Sequence, residues 1–283
     1  MEKQKTIGRE FFLEGKGLQT GRPVRVFFYP EGENRGITLM RRDLEGRPSV
    51  RLGWSVDFDA DRRSKINLGK GECIETTEHF LAALWGLEID NIRIELDSSE
   101  PPALDGSAKL FLEALEKAGV KEEGAQRQFI EIKEPLWVED KGAFLGVFPS
   151  AGFKISYIFE YPDYSIERQF FSEVVTPEVF REKLAPARTL WFVPPGPGSI
   201  RQKASLARAL GYGRGADENN ALIITKDGIA NKARFPDEPV RHKVLDLIGD
   251  LYLLGKPIKG RIIALRSGHK LNLELVKKIK ECI

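Results

Sequence analysis

The order strands, helix, strand, helix occurs twice along these 283 residues, and that recurrence restricts the fold more than any other feature. Near the N-terminus, Phe11-Phe12-Leu13, Val24-Arg25-Val26-Phe27-Phe28 and Gly36-Ile37-Thr38-Leu39 are β-rich and separated by Gly, Pro and Asn turns. A helix is expected from Thr76 or Thr77 through Trp85, because apolar residues recur there at helical spacing and a threonine is available as a cap. A strand, Ile92–Leu96, and a helix from Ala108 to Lys117 complete the first set. Polar residues from Lys121 to Gln126 mark a domain boundary. Alternation resumes in Phe129–Ile132 and Lys154–Ile158. A helix from Pro239 to Leu254, a strand over Arg261–Leu265 and a final helix after Gly268-His269 repeat the earlier order. Gly106–Glu113 even echoes Gly268–Glu274 locally. The reading is a duplicated α+β domain, residues 1–122 and then 128–283, with the functional site between the halves, where clefts favour ligands.

Such a length suggests about two domains, each able to bury a core without disulfides or a structural metal. The net charge of +2, from 44 basic and 42 acidic side chains, gives no strongly basic field, so no nucleic-acid partner is expected. The two cysteines, Cys73 and Cys282, form neither a disulfide framework nor a Cys-x-x-Cys zinc pattern, and read as free thiols of a reducing cytoplasm. No apolar signal core and no run of about 18 apolar residues is seen, so no membrane span is expected. A cytoplasmic monomer is the expectation.

All three histidines sit in marked settings, and two stand where a metal would want them. His79 follows Glu78, His242 is followed four residues later by Asp246, and His269 opens the final helix. Residues i and i+4 share one face of a helix, so His242 and Asp246 can grip one ion together, with Asp250 one further step along. Adding His79 from the other half makes two imidazoles and one carboxylate. That set leaves a fourth tetrahedral position open, as in catalytic zinc sites. Each residue has a plainer explanation. His79 suits an ordinary helix position, Glu78 favours the positive end of a helix dipole, and the two aspartates suit a solvated face. Against the last stand Leu245, Leu247, Ile248, Leu251 and Leu253, which make the helix apolar enough to be buried on more than one side, where unpaired carboxylates are costly. With no His-Glu-x-x-His motif present, spacing alone leaves both readings open.

Several longer segments go further: Glu14–Gly21, Thr76-Thr77-Glu78-His79, Pro102–Ser107, Ala187-Arg188-Thr189, Asn219-Asn220-Ala221, Glu238–Asp250 and Gly268-His269. On these, running nearly end to end, the chain resembles the UDP-3-O-acyl-N-acetylglucosamine deacetylase family of zinc enzymes in lipid A synthesis. The resemblance implies two similar domains, each a mainly antiparallel sheet with two helices, the helices packed between the sheets. It also implies an inserted strand-helix unit around residues 190–225 that shapes a passage for the acyl chain. The metal would be zinc (Zn2+), held by His79, His242 and Asp246. Glu78 would act as general base towards zinc-bound water and His269 as general acid at the leaving amine, with Asp250 orienting it. Thr189 would support the oxyanion. Lys243 would lie near the substrate, although it also reads as a surface lysine. The substrate implied is an acylated UDP-N-acetylglucosamine. Asp105 reads as structural, since Asp-Gly-Ser before a helix is an ordinary cap.

The chain departs from the family pattern at Gln19, where relatives usually carry a histidine, and in Ser64–Gly69. The stretch Gly211–Glu218 is also more acidic than the pattern leads one to expect. Two other readings follow. One is an amidase of the same fold with a different substrate; the other is a non-catalytic paralogue binding a sugar-lipid, whose signature would be loss of a ligand or of the base.

Overall fold

The computed structural model describes residues 2–54, 56–60 and 64–282. Met1 and Ile283, the outer limits of the two halves read from the sequence, lie outside the described residues. One sheet has the strand order Phe11–Lys16, Pro23–Pro30, Ile92–Leu96, Ile37–Arg41, Ser49–Arg51. The other runs Leu136–Asp140, Ala143–Phe148, Ile258–Leu265, Phe153–Phe159, Gln169–Val174, with Ile130–Glu131 paired to Ile258–Leu265 off that path. In each, two hairpins are separated by a late strand that inserts between them. That strand is antiparallel to one neighbour and parallel to the other, Ile37–Arg41 in the first sheet and Phe153–Phe159 in the second. A parallel neighbour requires a crossover connection, which is why a helix precedes the late strand in both halves. The shared strand order and the shared parallel pair establish the α+β repeat.

Five longer helices follow in chain order among the described residues: α1 (Glu78–Gly86), α2 (Lys109–Ala118), α3 (Ile200–Ala209), α4 (Glu238–Leu251) and α5 (His269–Cys282). α1 and α4 are buried along almost their whole length, and they pack on each other at the centre. Their closest approach is at Gly249, where a Cβ would stand 2.0 Å from the Glu78 carbonyl oxygen, so only glycine lets the backbones meet. α2 packs on α1 and α5 on α4, each burying one apolar stripe such as Phe111, Leu112 and Leu115. Phe28 and Leu39 of one sheet, Ile155 and Ile262 of the other, and Phe80, Leu245 and Leu273 of the helices join one continuous core.

One local expectation changes, and the polar segment at Lys121–Gln126, read as a domain boundary, takes a regular structure: Val120–Gln126 forms a strand antiparallel to Lys3–Ile7. Its polarity comes from a ribbon largely open to water, which composition alone cannot distinguish from a linker. Thr77 occupies the N-cap position of α1 but does not cap it, since its backbone is already helical and its hydroxyl makes no cap bond.

The strands Thr189–Phe192, Ala221–Thr225 and Gly228–Ile229 make a separate three-stranded sheet. Its first pair is parallel, with α3 as part of the crossover between them. No residue of α3 is buried.

Candidate metal centre and catalytic cleft

Three of the helices begin at or pass through one cleft. Thr76, with φ of 56°, turns the chain sharply into α1. That conformation is strained for a β-branched residue, by roughly 1–3 kcal/mol, and persists because its surroundings impose it. Glu78 and His79 therefore enter the cleft on the first turn of α1, opposite the Gly249 contact. His242 and Asp246 share one face of α4, one turn apart, as their spacing predicts.

His242 Nε2 lies 3.2 Å and His79 Nε2 3.6 Å from Asp246 Oδ1. The three donor atoms lie within 4.8 Å of one another, and all three residues are buried. His242 Nδ1 stands 3.2 Å from the Ala187 carbonyl, which can only accept. The ring hydrogen therefore sits on Nδ1, and Nε2 turns its lone pair towards Asp246. Burial pushes the His242 pKa down to about 3, further than Asp246 can raise it, so the ring is neutral and able to ligate. Burial works against ionisation of Asp246 too, but Lys243, His79 and His269 outweigh it and hold the carboxyl well below its usual range. His79 shows the complementary demand. Burial opposes charge on the ring, yet Asp246 and Glu78 raise its pKa, so the site attracts a positive charge that a metal cation would supply. Asp246 Oδ1, buried, has no hydrogen-bond partner among the described residues. An orphaned buried carboxylate oxygen facing two imidazole nitrogens fits a metal ion of the borderline, N/O-preferring kind.

Glu78, Asp250 and His269 form a second convergence beside the first. Asp250 Oδ2 accepts from His269 Nδ1 at 2.8 Å and from Asn272 Nδ2 at 2.8 Å. Asn272 Oδ1 accepts in turn from Ser267 Oγ at 2.5 Å. Burial lowers the His269 pKa, but the Asp250 carboxylate overrides it and lifts the ring to about 9. The other ring nitrogen, Nε2, points between Glu78 Oε1 at 4.0 Å and Asp246 Oδ2 at 3.8 Å. Glu78 Oε2 accepts from Ser64 Oγ at 2.5 Å, which leaves Oε1 turned to the cleft.

Above these groups opens a cavity of about 850 Å³, lined by Glu78, Thr189, His242, Lys243, Asp246 and His269 at one end. Leu190, Phe192, Leu206 and Leu210 line its apolar remainder. Thr189 is set there by its own backbone, whose N–H donates to the Gly106 carbonyl at 2.7 Å. Gly106 is required at that crossing, since a Cβ would stand 1.6 Å from the Asn220 carbonyl oxygen. Lys243 is not a surface lysine: it is largely enclosed and its Nζ donates to Asp246 Oδ2 at 3.1 Å. Asp105 does not cap α2 directly. Its carboxylate accepts from the Ser107 amide and hydroxyl and pairs with Arg234 Nη1 at 2.9 Å.

All eight residues singled out from the sequence thus meet in one cleft. Ser64, Ala187 and Asn272 were not assigned a place there. Asn272 lies three residues after His269, a spacing that shares a helix face and was open to notice. Ser64 and Ala187 lie far along the chain from their partners and carry no periodic signal.

The profile of the UDP-3-O-acyl N-acetylglycosamine deacetylase family matches residues 4–281. The chain belongs to that family. Among curated relatives, the UDP-3-O-acyl-N-acetylglucosamine deacetylase of Chlamydia muridarum is 36% identical over 99% of this chain and 96% of its own length. The enzyme of the same name from Solibacter usitatus is 35% identical, covering 99% and 92%. That from Anaeromyxobacter sp. is 34% identical, covering 98% and 88%. The matched residues 4–281 span both sheets, the separate three-stranded sheet and every residue of the cleft. Among the described residues, no helix is long and apolar enough to cross a membrane.

Proposed function

We propose that this chain hydrolyses the N-acetyl amide of UDP-3-O-acyl-N-acetylglucosamine, releasing acetate and a free amine, with a zinc ion held by His79, His242 and Asp246. The observation that carries the reading is the convergence of two imidazole nitrogens on a buried, otherwise unpartnered carboxylate oxygen, beside an acid–base pair in one cavity. Zinc, if held by these three residues, would supply Lewis-acid chemistry, lowering the pKa of water towards about 7.

Glu78 serves as general base: Oε2 is held by Ser64, and Oε1 takes a proton from the attacking water as its oxygen bonds to the acetyl carbon. The Thr189 hydroxyl and the Lys243 ammonium stabilise the negative charge that builds on the acetyl oxygen; one such donor is worth roughly 3–4 kcal/mol when fixed in place. As the carbon–nitrogen bond breaks, His269 gives its Nε2 proton to the leaving nitrogen. Asp250, steadied by Asn272, holds the opposite ring nitrogen and so sets the direction of that proton. The apolar end of the cavity, bounded by the unit inserted around residues 190–225, takes the acyl chain. The domains are read as 1–122 and 128–283, and the enzyme as a cytoplasmic monomer, consistent with free Cys73 and Cys282.

Acetate release from the acylated UDP-sugar tests the reading, using purified protein, a chelator and zinc added back. Activity that disappears with the chelator and returns with zinc is the expected result. Metal bound without turnover overturns the substrate. Turnover that ignores the chelator overturns the centre. The unacylated UDP-sugar, run alongside, separates an acyl-dependent enzyme from an amidase with another substrate.

A further inference from the structure

Gln19, the departure noted in the sequence, sits in a seam between the first half and the inserted unit. Its loop is anchored from one side by Glu100, a buried residue whose carboxylate accepts the amides of Gln19 at 3.0 Å and Thr20 at 2.7 Å. From the other side, three consecutive amides of the inserted unit donate into the loop. Gly213 N reaches Gln19 Oε1 at 3.0 Å, Arg214 N reaches Gln19 O at 3.1 Å, and Gly215 N reaches Leu18 O at 3.0 Å. The two backbones touch closely enough to demand glycine on the inserted side: a Cβ on Gly215 would stand 2.1 Å from Gly17 O.

The element this seam secures is α3, whose residues Ala204, Leu206 and Ala207, with Leu210 just beyond its end, form one wall of the cavity. None of its residues is buried, so packing contributes little to its placement. Among the described residues, its other hydrogen bonds stay within the inserted unit. Ser199 and Gln202 make a capping box, Lys203 Nζ donates to the Pro194 and Gly196 carbonyls, and Arg208 Nη2 donates to the Ala216 carbonyl. The loop after α3 is therefore where the wall meets the first half.

We propose that Gln19 is a positioning residue: its side-chain carbonyl latches the Gly213 amide and so sets where α3 stands over the apolar end of the cavity. The consequence for substrate rests on the reading above, in which that end takes the acyl chain. Two backbone bonds remain when the side chain is changed, so the effect is a loosened wall and not an unfolded one.

Gln19→Met keeps the shape and removes the acceptor, whereas Gln19→Glu keeps an acceptor at the same reach. Hydrogen exchange of the zinc-loaded enzyme without substrate should show the Gly213 amide, and peptides across residues 200–215, exchanging about fivefold faster in Gln19→Met, as expected for loss of one ordinary hydrogen bond. Gln19→Glu should exchange like the parent protein. With acylated UDP-sugars of increasing chain length, Gln19→Met should raise KM about fivefold for the longest chain while kcat falls less, the pattern of lost uniform binding. Unchanged exchange in Gln19→Met overturns the latch. Faster exchange with an unchanged KM for every chain length overturns its part in substrate selection. If the parent protein turns over no acylated UDP-sugar, the functional reading fails, and the exchange rates still decide the latch.

Discussion

Glu78→Gln keeps the volume of the side chain and an acceptor for Ser64 while removing the carboxylate that faces the cleft. Turnover should fall by about 10²–10⁴, the range of a lost general base, with bound metal still near one per chain by elemental mass spectrometry. Loss of the metal would make Glu78 a ligand instead. His79→Ala and Asp246→Ala behave in the opposite sense. Each removes one of three donors, so metal should leave on dialysis; tight, stoichiometric metal in both would sink the centre as drawn. Asp250→Asn separates a third role. The His269 ring loses the carboxylate that orients and charges it, so turnover should fall by at least about tenfold with metal retained. Normal turnover in that variant would remove Asp250 from the machinery.

At the scale of elements, the cleft depends on how closely α1 and α4 approach. Gly249→Ala would drive a Cβ into the Glu78 carbonyl, and backbone cannot swing aside as a side chain can. The helices must separate, at a cost of about 1–3 kcal/mol read from urea unfolding. Because Glu78 and His79 ride on the displaced end of α1, metal affinity should drop as well. Gly86 offers the comparison. A Cβ there meets the Phe180 ring at 2.2 Å, at the other end of α1. Gly86→Ala should therefore lower the urea midpoint while weakening the metal less than Gly249→Ala does. Equal losses of metal in both would show that helix spacing at Gly249 is not what sets the ligands.

Across the whole molecule, the halves are joined by polar ties as well as by the common core. Glu238, fully buried, accepts from Arg188 Nε and N, both at 3.0 Å, and from the Arg234 amide at 2.5 Å. Arg234 in turn reaches Asp105 in the first half. Burial pushes the Glu238 pKa up, but the Arg188 and backbone bonds prevail and hold it below its ordinary 4.5. A depressed folded pKa means that this stabilisation is fully present above 4.5 and disappears as pH falls through the lower folded value. Glu238→Gln should thus be clearly less stable than the parent at pH 7, and the gap in urea midpoint should narrow in acid below that value. A gap independent of pH would show that ionised Glu238 is not the source. Removing one partner of such a buried pair typically costs about 3–5 kcal/mol.

Much of this was legible beforehand, for a physical reason. Helical spacing says which residues share a face, so His242, Asp246 and Asp250 were aligned before any fold was known, and alternation and turn residues exposed the two-fold order of elements. The family segments carried the eight cleft residues, because the chemistry demands particular side chains at particular positions of the fold. Spacing carries no information about partners brought from a distance. That Ser64 steadies Glu78, that the Ala187 carbonyl fixes the His242 tautomer, and that Gln19 meets Gly213 follow from how separate elements pack. That the polar segment Val120–Gln126 is a strand was hidden for the same reason, since its partner Lys3–Ile7 lies more than a hundred residues away. By itself the sequence determined the repeated α+β order and, through the family segments, the candidate residues for a metal and for proton transfer. Only the tertiary structure decided their mutual distances, because those are set by backbone contacts such as Gly249 against Glu78, where two helices meet without any local signal of how close they come.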